Sequence, residues 1–92
     1  MAAAKKINIV GPAVKKLRRA RKWTQEDLAG ACQLLGWDVV RETILKIEHG
    51  QRRVVDAEVL LLARALGCTL EDLLGSDAAG AAEYARHSLE KD

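Results

Sequence analysis

The sequence predicts an all-α fold, on three observations. Apolar residues recur at the i, i+3, i+4, i+7 spacing of helices packed on one side. Capping residues and glycines bracket these stretches at helix-length intervals. Proline is nearly absent and β-branched residues are few. Ninety-two residues with 49% apolar content make one small domain with a single core of modest stability. With two Trp, one Tyr and no Phe, that core must be built from Leu, Val, Ile and Ala.

Taken in order, residues 1–10 read as a short basic and apolar arm, tied down near Ile7 to Val10. Lys5 and Lys6 there either fray or touch phosphate. Pro12, at the first helical position, opens a first helix that runs to about Lys22 with Val14, Leu17 and Ala20 inward. Lys15, Lys16, Arg18, Arg19, Arg21 and Lys22 surround the rest of it, and no acidic residue occurs before Glu26. Such a face suits either bulk solvent or the backbone of a polyanion.

Thr24 caps a second helix, because its hydroxyl can accept from one of the first unpaired backbone N–H groups. Glu26 and Asp27 place negative charge at the positive end of that helix. Asp27 stands three residues after the cap as a short-armed capping box, and Trp23 can fold over Leu28 as a staple. Leu28, Ala29, Cys32 and Leu35 form the inward stripe, and Gly36 can end the helix in the left-handed conformation.

A third helix begins between Val40 and Arg41, with Asp38 the only good capping residue nearby. Ile44 and Ile47 are its narrow apolar edge, and Gly50 ends it. A helix anchored by so few inward residues leaves its opposite face available to a partner. Beyond it, Gln51, Arg52 and Arg53 make a basic loop.

Asp56 caps a fourth helix from Ala57 to Leu66, ended by Gly67, with Val59, Leu62, Ala63 and Leu66 inward. Leu60 and Leu61 fall off that stripe, so Leu61 is an exposed apolar spot, either a singleton or part of a dimer contact. Thr69 caps a short fifth helix, Leu70 to Leu74, with Gly75 after it. Ser76 to Gly80 reads as a small-residue linker, and Ala81 to Leu89 as an accessory helix anchored by Tyr84 or Ala85 and Leu89.

The net charge of +2 hides an asymmetry. Residues 1–53 carry 12 Lys/Arg against 5 Asp/Glu, a balance of +7, and residues 54–92 carry 3 against 8, a balance of −5. A basic front half points to a polyanion partner at one end, or to a solvated surface. Cys32 and Cys68 stand at apolar helical or helix-end positions with no secretory signal or long apolar run ahead of them, which predicts reduced thiols in a cytoplasmic protein. His49 and His87 are isolated, with no Ser/His/Asp or paired-carboxylate arrangement and no phosphate-binding glycine loop, so no enzyme is expected. Those histidines and the two cysteines lack metal-ligand spacing, and no metal or other cofactor is implied.

Four blocks in sequence carry a family resemblance: L-R-x-A-R at Leu17, T-Q-E-D-L-A at Thr24, T-I-x-K-I-E-x-G at Thr43 and L-A-R-A-L-G-x-T-L-E-D-L-L at Leu62. Together they cover about two-thirds of the chain, from Leu17 to Leu74, and resemble the helix-turn-helix DNA-binding domain of the phage repressor and Cro-like family. The resemblance implies a compact five-helix domain, residues 11–75, that binds double-stranded DNA as a dimer. Its third helix would enter the major groove, and its role would be transcriptional regulation, most commonly repression, in a bacterial or phage-like cytoplasm and on the nucleoid when bound.

Residue by residue, the resemblance assigns base reading to Gln25, Arg41, Glu42 and Leu45. Gln25 suits an adenine edge, Arg41 a guanine, Glu42 a cytosine amine and Leu45 a thymine methyl. Thr43, Lys46, Arg52 and Arg53 would meet the DNA backbone. Arg18 would pair with Glu48 as an internal brace. Leu61 stands where the family commonly carries a charged or polar residue, which favours a dimer contact. The chain departs from the family in spacing: Leu28 and Ile44 lie about five residues further apart than usual. The insertion, Gln33 to Val40, either extends the second helix by a turn or lengthens the loop, and Trp37 within it packs on the core or stacks near the sugar-phosphate backbone. The same fold also serves as a protein-interaction module, such as an antitoxin or adaptor, a reading favoured by the acidic C-terminal half and Leu61.

Overall fold

The computed structural model describes residues 6–75 and 78–90, with the backbone alone for residues 87–90. Lys5 of the arm, Ser76 of the linker and the side chains of His87 and Leu89 lie outside the described residues. Among the described residues six helices follow one another: α1 Gly11–Ala20, α2 Gln25–Leu34, α3 Arg41–Glu48, α4 Asp56–Leu66, α5 Leu70–Leu74 and α6 Ala78–Glu90. No strand occurs among the described residues.

The core is aliphatic. Leu28, Ala29 and Cys32 of α2 meet Ile44 and Ile47 of α3, Val14 of α1, Val59, Leu62, Ala63 and Leu66 of α4, and Leu73 of α5. Helix α3 packs on α2 and α1, and α4 packs on α2, α1 and α5, so the pair α2–α3 rests on α1 and α4, with α5 packed on those two. Burying the leucines and isoleucines is worth ~1.5–3 kcal/mol each.

Helix starts follow local chemistry. Thr24 Oγ1 accepts from Asp27 N at 3.0 Å while Asp27 Oδ2 accepts from Thr24 N at 2.8 Å, closing the box expected for α2. Thr69 and Asp72 repeat that reciprocal pair at α5. Helix α4 differs: Asp56 is its first helical residue, and Glu58 reaches back to accept from Val55 N at 3.1 Å. The longer Glu side chain, three residues after Val55, supplies the backward arm of a capping box. Asp56 Oδ1 accepts from Ala57 N at 2.7 Å from inside the helix and not from the cap position expected of it.

Helix α1 starts at Gly11, one residue before Pro12, with Asn8 Oδ1 accepting from Gly11 N at 2.8 Å. A Cβ on Gly11 would come within 2.5 Å of Ile47 O and 2.9 Å of Glu48 O, so the glycine lets α1 approach the end of α3. The helix stops at Ala20 instead of Lys22, and Ala20 is exposed. Lys22 adopts φ +60°, and Trp23 N donates back to Arg18 O, a left-handed termination usually given to glycine.

The insertion lengthens the loop. Helix α2 ends at Leu34, and residues 35–40 cross to α3 without a helical turn of their own. Leu35 is exposed, contrary to its place on the expected stripe, and Leu34 is 90% exposed. The reason is that the chain breaks at Gly36, φ +93°, and that Val39 of the loop is buried and Trp37 packs against the core. Gln33 Nε2 holds the loop by donating to Val39 O at 2.6 Å. Helix α6 begins at Ala78, within the stretch read as a linker. No helix among the described residues is long and apolar enough to cross a membrane.

Candidate nucleic-acid interface

Four side chains from three elements connect in series at the α2–α3 pair. Arg18, on the inner side of α1, donates from Nε and Nη2 to the two oxygens of Glu48 at 2.6 and 3.1 Å. The Glu48 side chain is 0% exposed, so this forked pair meets a charge that would otherwise be costly to bury. Arg18 Nη1 also donates to Trp23 O at 2.6 Å, fixing the α1–α2 turn. Gln25 Nε2 donates to Glu48 Oε1 at 3.1 Å, and Gln25 Oε1 accepts from Arg41 Nη1 at 3.5 Å. The series therefore runs from the buried brace, through the first residue of α2, to the first residue of α3.

Helix α3 has two edges. Ile44, Ile47 and Glu48 are buried, while Arg41 and Glu42 side chains are 55% and 66% exposed. Lys46 is exposed, and Thr43 and Leu45 are half-buried. Arg41 and Glu42 approach only to 3.9 Å, an exposed pair of little energetic value that leaves both heads adjustable. Gln25 is half-buried, with its amide nitrogen on Glu48 Oε1 and its Oε1 on Arg41 at the exposed surface.

In the basic loop after α3, Arg52 is held by the following helix. Arg52 grips Glu58 with both ends of its guanidinium at 3.0 Å and donates to Arg53 O at 2.9 Å. That hydrogen bonding raises the Arg52 pKa and holds the Glu58 carboxyl below its ordinary value. Arg53 is exposed. Leu61 is half-buried on α4, and the exposed leucine beside it is Leu60.

Several residues that position α3 carry little signal in the sequence. Asn8 is buried and donates from Nδ2 to Ile47 O at 3.0 Å and Arg52 O at 2.8 Å. Lys6 Nζ donates to His49 O at 3.0 Å, and Ile7 N donates to Gly50 O at 2.9 Å. The arm thereby satisfies carbonyls at the end of α3, which a helix otherwise leaves to solvent. Arg21, read as part of the basic face of α1, instead donates to Leu66 O at 2.7 Å and lies 4.3 Å over the Trp23 ring. Only the Asn8 to Gly11 spacing, an Asx-type start to a helix, offers a local clue to any of these.

Both cysteines are free thiols; burial pushes Cys32 up to about 11 and also raises Cys68, so neither is activated as a nucleophile. Compared with known proteins, residues 14–73 match the family model described as helix-turn-helix. No curated protein and no solved structure matches.

Proposed function

From the premise that the chain belongs to the helix-turn-helix family of the phage repressor and Cro-like kind, whose members are DNA-binding transcription regulators, we propose that it is a sequence-specific repressor that lays α3 in the major groove of duplex DNA. In this fold the second helix of the pair enters the groove while the first crosses the backbone. The observation that carries the reading is the two-edged α3: its inner edge is locked by Ile44, Ile47 and Glu48, while Arg41, Glu42 and Lys46 face solvent.

Sequence choice would come from base edges and most of the affinity from phosphates. Arg41 would read a guanine, Glu42 a cytosine amine and Leu45 a thymine methyl. Gln25 would hold Arg41 from the side through its Oε1 while remaining near an adenine edge or phosphate. Thr43, Lys46 and Arg53 would meet the DNA backbone. Arg52 would do so while still gripping Glu58.

One domain of this size reads few base pairs. Two copies related by a two-fold axis would meet half-sites about 34 Å apart, and Leu61 on α4 is the proposed contact. Selection of bound sites from random duplex DNA, followed by footprinting, tests the reading. A palindromic site with two protected half-sites supports it. Failure to enrich any sequence above the starting pool overturns specificity, and a single half-site overturns the dimer.

A further inference from the structure

Away from the α2–α3 pair, the arm, the loop before α4, and helices α4, α5 and α6 enclose an open slot of about 440 Å³. Its walls are aliphatic: Ile9, Val59, Leu60, Leu70 and Leu74 line it, and four of these, all but Val59, remain 39–46% exposed. Tyr84 of α6 closes one side, held by its hydroxyl donating to Ile7 O at 2.6 Å. A volume of this size falls within the ~300–1,000 Å³ of small-molecule pockets. A stable dimer needs about 800 Å² from each partner, more than this slot alone presents.

The charge at the slot selects among apolar occupants. Among the described residues, Asp56 is the one ionisable side chain of the lining apart from the Tyr84 phenol, and it forms no ion pair. Its Oδ1 accepts from Ala57 N at 2.7 Å at the start of α4, which fixes the carboxylate at the rim. Among the described residues no lysine or arginine lines the slot. An aliphatic carboxylate would set like charge against Asp56, whereas an aliphatic amine would place its chain on the leucines and its ammonium on the carboxylate.

We infer that this slot is a binding site for a small aliphatic molecule with a cationic head. The site adjoins the elements that hold the end of α3. Asn8, in its wall, donates to Ile47 O, and Ile7, whose carbonyl anchors Tyr84, donates from its N–H to Gly50 O at 2.9 Å. An occupant that moves Tyr84 or Ile9 therefore shifts the backbone at Ile7 and Gly50.

The test is an NMR titration of the full chain, isotope-labelled at methyl and amide groups, with octylamine, octanol and octanoate separately, each below its micelle concentration at neutral pH. Octylamine should give saturable shifts at the Ile9, Leu60, Leu70 and Leu74 methyls and at the Ile7 and Gly50 amides. It should bind about tenfold more tightly than octanoate, the effect of one exposed charge pair gained and one repulsion avoided. Asp56→Asn should bring the three affinities together. Absence of saturable shifts with octylamine overturns the site, and equal binding of octanoate overturns the cationic head. Shifts at the same methyls that follow protein concentration without any additive would show that a second copy fills the slot, and would overturn the inference too. No DNA enters this titration, so its outcome is separable from that of the repressor reading.

Discussion

The guanidinium of Arg18 meets both oxygens of Glu48, at 2.6 and 3.1 Å, where the Glu48 side chain is wholly buried at the end of α3. This pair ties the basic helix α1 to the helix that presents Arg41. Removing Arg18 leaves a buried carboxylate with Gln25 as its remaining side-chain partner. Arg18→Ala should therefore lower the unfolding free energy by about 3–5 kcal/mol, whereas the double change Arg18→Met with Glu48→Leu should recover most of it. Urea denaturation of the three proteins checks this; a double variant as unstable as Arg18→Ala would mean that the loss is one of packing and not of charge.

Arg41 stands at the start of α3, more than half exposed, with Gln25 beside it. Arg41→Ala should weaken binding to a selected site by about 1–3 kcal/mol and binding to random duplex much less. Equal losses on both, measured by fluorescence anisotropy, would remove Arg41 from base reading.

Arg53→Ala should flatten the slope of log K against log salt by about 0.9, the value for one phosphate contact. Arg52→Ala should also cost stability, because Arg52 grips Glu58 with both ends of its guanidinium. An unchanged slope for Arg53→Ala would remove it from the DNA backbone, and an undiminished urea midpoint for Arg52→Ala would show that the grip on Glu58 stabilises nothing.

The same pair sets a pH dependence. The Arg52 hydrogen bond, joined by that of Val55 N, holds the Glu58 pKa below its ordinary 4.5, against the opposing effect of burial. A carboxyl depressed on folding contributes stability above its unfolded pKa and loses it as pH falls through the folded value. Part of the acid destabilisation below about 4.5 should thus belong to Glu58, and Arg52→Ala should show a shallower fall of urea midpoint over that range. Parallel curves for the two proteins would dissociate the pair from acid unfolding.

How much of this was legible beforehand follows from distance along the chain. The box at Thr24, the cap at Thr69 and the buried stripe Val59, Leu62, Ala63 and Leu66 are local patterns, and reading the residues alone finds them. Asn8 reaches carbonyls 39 and 44 residues away, Arg21 one 45 residues away, and Tyr84 one 77 residues away, and no periodicity encodes such bonds. Arg18 and Glu48 lie 30 residues apart and are paired in the sequence only through the family resemblance. Leu35 continued the helical spacing and was still excluded from the core, because Gly36 turned the chain and the inserted loop supplied Val39 and Trp37. Within the candidate interface the outward side of α3 is readable, whereas the engagement of Gln25 and Arg52 inside the protein is not.

Leu61 is half-buried, less available than its off-stripe position implied. Leu61→Glu should give a monomer in sedimentation equilibrium if α4 forms the two-fold contact. Dimers that persist would move the interface to another face.

The most direct measurement is a titration of the amide-labelled chain with a selected duplex at low ionic strength, read residue by residue. The account predicts saturable shifts centred on Arg41 to Lys46, Gln25 and Arg53, with the α4–α5 slot little changed. No shift with any duplex, or shifts confined to the slot around Leu60 and Leu70, would contradict it.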